Sequence, residues 1–206
     1  ISFSLTNKGS FQLGYGKYSA DGYTACYISD FRVSNYPVYT AAFTPPTQAL
    51  SRDSGTVLML DNQATLVDQN MYFNFETNGD AKLSTTVTKF GGSSIALDGA
   101  SDWLFTPGNR MLNFGSGNWT VEAWVYPTAS NSYMGIFGKE RGVALYLLSG
   151  TYTYAVDNGA GGWYDISTGI AIRLNEWHHV ALSRPASTRS EEHTSELQSH
   201  LNLVCR

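Results

Sequence analysis

Short glycine-punctuated stretches of alternating apolar and polar residues predict an all-β chain, a sandwich or barrel of antiparallel strands. Three observations carry that expectation. The 206 residues include thirteen Tyr, ten Phe, five Trp and twenty Gly, which suits half-buried strands joined by tight turns. Strand-like runs recur at short intervals with turn chemistry between them. No long stretch holds a helical period.

The elements follow in order. FSL (3–5) and FQLGY (11–15) open the series, and CYISDFRV (26–33) is the first long strand. TVLML (56–60), MYFNF (71–75), SIALD (94–98) and DWLFT (102–106) come next, then WTVEAWVY (119–126), VALYLL (143–148), TYTYAV (151–156) and EWHHVALS (176–183). Between them GGSS, DGASD, PGN, FGSGN, SG and NGAGG supply turns in which Gly takes positive φ. Helical turns are expected only around Asn109–Leu112 and at Ala41–Phe43. The stretch 41–55 reads as a linker, because Pro45 and Pro46 remove two backbone donors. In strand 119–126, Trp119, Val121, Ala123 and Val125 share one face, the expected core face. Thr120, Glu122, Trp124 and Tyr126 share the other, where a carboxylate beside two aromatics could form a ligand platform.

Composition narrows the function. A net charge of −4 is too mild to argue for nucleic acid or an anionic membrane as partner. No apolar run reaches membrane-span length, and no signal peptide is visible. Residue 1 is Ile, so the natural start is expected to be missing. Cys26 and Cys205 make neither a disulfide framework nor a metal spacing.

The last eighteen residues, RSEEHTSELQSHLNLVCR, break with the rest in composition. As protein, Ser190 could cap a short helix with Glu191 and Glu192 in its first turn. Residues 189–200 and 203–206 also resemble the in-frame translation of a common sequencing adapter. On that reading 189–206 is a non-native tail set aside from fold reasoning, Cys205, His193 and His200 carry no chemistry, and the natural sequence stops near Thr188.

Two stretches carry a family resemblance. KFGGSSIALDGASDWLFTPGNRMLNFGSGNWTVEAWVYPT (89–128) looks like the opening half of a laminin-G-like, concanavalin A-like jelly-roll domain, and NEWHHVALSR (175–184) resembles its Trp-x-His-Val-Ala strand. FQLGYGKYSADGYTACYISDFRVSNYPVYTAAFTPPTQAL (11–50) looks like the closing half of such a domain, of the tandem type found in phage structural and tail-fibre proteins. The resemblance implies a two-sheet antiparallel jelly-roll sandwich. It also implies that 1–50 closes a first repeat, 51–188 opens a second, and the two halves complete each other as one circularly permuted sandwich, with neighbouring repeats of the same chain as partners.

The chemistry is weighed on that frame. β-Glucanases share the architecture but carry two carboxylates in a Glu-x-Asp-x-x-Glu strand pattern. That pattern is absent, Glu122 stands alone on its face, and no nucleophile motif surrounds Ser93 and Ser94, so the chain is expected not to be an enzyme. No cofactor is required. Calcium is the one ion left open, with Asp98 and Asp102 as candidate ligands and Glu140 and Asp157 as further loop oxygens. Against it stands an acidic turn whose aspartates accept backbone N–H groups. The pentraxin calcium site has no counterpart at Lys139–Arg141 or Gly16–Lys17. His178 and His179 are adjacent on a strand, point to opposite faces and cannot chelate one ion. Asn118–Thr120 is formally a glycosylation sequon at a strand start.

Glycan binding is the activity the residues favour, because sugar rings stack on aromatics and their hydroxyls need amides and carboxylates. The segment 151–167 offers Asp157, Asn158, Trp163, Tyr164 and Asp165, with Tyr152 and Tyr154 expected to be partly buried. With Glu122 and Trp124 these are the candidate ligand residues. The expectation is an adhesion module of a secreted, cell-surface or virion protein, engaging a glycan or cell-surface receptor. The rival is a structural spacer repeat that binds nothing; a glycoside-hydrolase relative is a second alternative.

Overall fold

The computed structural model describes residues 9–16, 22–61, 66–115, 117–130, 133–158 and 160–185, with the backbone of 202–205. The strand expected at 3–5 lies outside the described residues. The strands are β1 Phe11–Leu13, β2 Ala25–Ser34, β3 Thr56–Leu60, β4 Glu76–Asn78, β5 Lys82–Ser84, β6 Ser94–Asp98, β7 Trp103–Thr106, β8 Trp119–Pro127, β9 Met134–Lys139, β10 Val143–Leu148, β11 Thr151–Asp157, β12 Trp163–Ala171, β13 His178–Arg184 and β14 Asn202–Cys205. They form two antiparallel sheets, the two-sheet sandwich expected of an all-β chain. The first runs β12-β11-β10-β9-β1-β7-β4, and the second β14-β13-β8-β2-β6-β5 with β3 beside β2.

The inner faces alternate as the sequence requires. Trp119, Val121, Ala123 and Val125 of β8 are buried with Val180 and Leu182 of β13, against Leu145, Leu147 and Tyr152 of the first sheet. Phe11 of β1 ties the layers together, with ring centroids 5.7 Å from Phe31 on β2 and 6.0 Å from Phe137 on β9. Fully burying such a side chain stabilises the fold by about 1.5–3 kcal/mol. Cys26 is a free thiol in this core, and burial pushes its pKa far up.

The N-terminal stretch occupies central places in both sheets: β1 lies between β9 and β7, and β2 between β8 and β6. A bulge in β2 governs what faces where. Ser29 pairs with Trp124 and Arg32 with Glu122, so β2 spends one extra residue, and Asp30 takes φ 51° there. The bulge keeps Ile28 and Phe31 in the core while Ser29 and Arg32 lie on the outer face. It also marks a fork, where β2 leaves β6 and takes up β3.

Several elements differ from expectation. The run 71–75 is no strand: Asp68 accepts N–H bonds from Met59, Asn70 and Tyr72, which commits the chain to a turn with Met71 at φ 60°, and pairing begins only at β4. Residues 41–43 form no helical turn, whereas Arg110–Leu112 is a single 3-10 turn capped by the Asn109 side chain. β9 was not legible, because Gly135 and Gly138 dilute its apolar pattern. A strand also forms in the tail set aside as non-native. β14 pairs with Val180–Ser183, covering an edge of β13 that would otherwise offer unpaired backbone groups to any extended segment. Among the described residues no helix is long and apolar enough to cross a membrane.

Candidate functional site

The outer face of β8 is covered over much of its length. Glu122 is 1% exposed and Trp124 5%, so the open platform expected there is closed by the segment that follows β2. Glu122 Oε1 accepts from Arg32 Nε and Nη2 at 2.9 and 2.6 Å. Its Oε2 accepts from the Tyr39 hydroxyl at 2.7 Å and from His179 Nε2 at 3.1 Å. Tyr39 and Phe43 stack at 3.5 Å and both meet the His179 ring edge-on. Arg32 also donates to Ser51 O, and Val38 N to Thr120 Oγ1, which fastens the cover as a strap. Lys89 Nζ lies 4.0 Å from the centroid of the Trp124 ring, with Phe90 edge-on to it.

Burial alone would raise the Glu122 pKa, but the His179 hydrogen bond, the Arg32 charge and the Tyr39 hydroxyl outweigh it and hold the carboxyl below its ordinary range. Burial and the Glu122 charge push the Tyr39 phenol far up. An ionised carboxylate with both oxygens already taken suits a structural ion pair better than proton transfer. Beside it, Ser29 Oγ, Trp124 Nε1 and His179 Nδ1 share one cross-strand row and have no partner among the described residues. Each such group costs about 1–3 kcal/mol, so the ion pairs and aromatic cover hold this face together. Past the strap Tyr126 is half-buried, with Tyr27 and Trp177 at 6.0 and 5.4 Å. His178 turns the other way, as strand alternation requires; its Nε2 lies 2.9 Å from Arg173 O, and burial lowers its pKa.

The acidic turn gains a member that sequence spacing missed. Asp80, Asp98 and Asp102 can each bring one oxygen within 4.8 Å of the others. Asp102 is buried, however, and its oxygens accept the N–H groups of Asp80 and Asp98 at 2.8 and 3.0 Å, while Asp98 Oδ1 accepts from Ala100 at 2.6 Å. Burial raises the Asp102 pKa against those bonds. The geometry is that of an acidic turn holding its own backbone. Glu140 and Asp157, the further loop oxygens, are not members of the cluster.

The β11–β12 hairpin separates residues that the sequence grouped. Asp157 pairs with Trp163 and Ala155 with Asp165, whereas Val156 pairs with Tyr164 and Tyr154 with Ile166. Trp163 and Asp165 therefore share the outer face of the first sheet. Tyr164, 47% exposed, lies on the opposite face with Ile166. Trp163 is half-buried against Ala144, Tyr146 and Ala155, beside Tyr133. Asn158 Oδ1 takes the N–H groups of Ala160 and Gly162 and shapes the turn, and Asp157 is buried. Tyr152 is fully buried and Tyr154 half-buried.

A second aromatic group was missed. Tyr23, Tyr15, Trp103 and Phe105 form a path of half-buried rings, with successive centroids 5.2, 5.4 and 5.1 Å apart. The signal was present in DWLFT: alternation sends Leu104 inward and Trp103 and Phe105 outward. Only the fold shows that Tyr15 and Tyr23 join them.

Comparison with known proteins agrees with this architecture. No curated protein and no solved structure matches the chain. Residues 98–190 match the laminin-G family model described as "Concanavalin A-like lectin/glucanases superfamily". A concanavalin A-like lectin/glucanase domain is therefore present over part of the chain.

Proposed function

We propose that the chain is a non-enzymatic glycan-recognition module serving adhesion at a cell or virion surface. The observation that carries this reading is the outer-face placement of Trp163: one large ring seated on Ala144, Tyr146 and Ala155, half-exposed, with the exposed carboxylate of Asp165 two residues on and on the same face. An anchored indole loses little entropy on stacking against a sugar ring, and a planar carboxylate beside it accepts hydroxyl hydrogen bonds. The lectin/glucanase match over 98–190 is compatible with it. Catalysis is set aside because Glu122 meets a guanidinium and a phenol rather than a second carboxylate. The stretches 1–50 and 51–188 are read as parts of two successive repeats that close one sandwich.

A spacer that binds nothing is the competing reading, favoured by the strap that closes the Glu122 face. A glycan array probed with the intact chain separates the two. Binding is expected, reduced about tenfold by Trp163→Ala, with Tyr164→Ala near the parent value because that ring lies on the opposite face. A silent array would count for the spacer, and equal losses at both positions would refute the outer-face site at Trp163.

A further inference from the structure

We infer that the outer face of the first sheet carries a second saccharide platform, built on Trp103, Phe105, Tyr15 and Tyr23, whose ligand is a linear oligosaccharide. The inference rests on the glycan reading but uses none of the Trp163 residues. Trp103 and Trp163 are five strand spacings apart in the sheet, or about 24 Å, so one short ligand does not link them by chance.

Three observations carry it. The rings form a continuous path, and none is buried in the core: Tyr15, Tyr23, Trp103 and Phe105 are all half-exposed on a face with no opposing layer among the described residues. Neighbouring ring planes are tilted by 38°, 35° and 33°. Four rings in succession, each 5.1–5.4 Å from the next, suit a chain of saccharide rings better than a single one. Strand register then supplies polar groups along the path. Phe105 stands opposite Gln12 on β1 and Glu76 on β4, and Trp103 opposite Asn78. Directly opposite residues share a face within reach of each other, so two amides and a carboxylate flank the rings with donors and acceptors for hydroxyls.

The half-exposed aromatic group on the second sheet, Tyr27 with Tyr126 and Trp177, lacks this flank. The row through Tyr27 continues into Ala96 and Lys82, with no planar polar side chain in register. The alternation of rings with amide and carboxylate groups suits a polyhydroxylated chain, whose C–H faces stack on rings while its hydroxyls take planar polar partners.

The test uses the intact chain and three probes: linear hexasaccharides of β-1,4-linked glucose, β-1,4-linked N-acetylglucosamine and α-1,4-linked glucose, followed by saturation-transfer NMR and titration. At least one is expected to bind, and its monosaccharide at least tenfold more weakly. Trp103→Leu, which keeps apolar bulk and an unchanged melting temperature, should weaken binding about tenfold or more. Trp103→Phe, which keeps a ring, should stay within about threefold, and Trp163→Ala within about twofold. Loss confined to Trp163→Ala overturns this platform and leaves the adhesion reading standing. Loss confined to Trp103→Leu upholds the platform as a site separate from Trp163. Equal binding by Trp103→Leu and the parent, or no binding of any hexasaccharide, overturns the inference.

Discussion

Asp30 has no exposed surface and sits at φ 51° in the β2 bulge. Burial, with the charge of Asp61 adding and the Leu50 backbone opposing, pushes its carboxyl up to about 7. A folded-state pKa above the unfolded value means that the native state holds the proton longer, so stability falls as pH rises from about 4 to about 7. Asp30→Asn keeps a side chain that tolerates positive φ and removes the charge. Its melting temperature should match the parent near pH 4, exceed it increasingly up to about pH 7, and run parallel above; a constant gap across that range would refute the account. Glu122 has the opposite sign. Its folded pKa is held down, so its contribution is present above the ordinary carboxylate range and lost as pH falls through the depressed value. Glu122→Gln leaves Arg32 without its closest carboxylate and should cost roughly 3 kcal/mol at neutral pH, a deficit that shrinks in acid. Denaturant titrations of parent and variant at several pH values check it.

Among the elements, β9 shows how a strand can be hidden in sequence by its own packing. A Cβ on Gly135 would collide with the backbone of Tyr15 and Gly16, which cross directly above it. Gly135→Ala must push that crossing away, at a cost of about 1–3 kcal/mol, and should lower the melting temperature while leaving the strands themselves in place. Because Tyr15 belongs to the aromatic path, the same change should also disturb oligosaccharide binding, which titration would reveal. Strands with clean alternation or solid apolar runs, β3, β8, β10 and β11, were legible from residues alone, since burial dictates their pattern. Trp119, Val121, Ala123 and Val125 face the core for that reason. What was not legible depends on the partner layer: whether Glu122 and Trp124 are open or strapped is decided by Tyr39 and Phe43, some eighty residues away in the chain. Likewise, Trp163 and Tyr164 read as one site until register placed them on opposite faces. Asp80 joined the acidic turn only through β4 and β5, neither of which had a strand signature.

At the scale of the whole molecule, both sheets are continuous only through the N-terminal stretch. Without β1, β9 and β7 lose their common neighbour; without β2, β8 is parted from β6, and β3 has nothing to pair with. The core loses Phe11, Leu13, Ile28, Phe31 and Val33 at once, all essentially inaccessible to solvent. At about 1.5–3 kcal/mol each, their removal approaches or exceeds the roughly 5–15 kcal/mol by which a domain of this kind is stable. Residues 51–188 expressed alone are therefore expected to lack a cooperative thermal transition and to associate through the exposed edges of β7, β8 and β9. Supplying residues 1–50 as a separate chain should restore the transition and the near-ultraviolet signal of the buried Trp119, because the two pieces interlock without needing the peptide link between them. Size-exclusion chromatography and circular dichroism on the separate and mixed pieces decide the matter. A monomeric 51–188 that melts cooperatively by itself would mean that β1 and β2 lie on a finished sandwich rather than complete one.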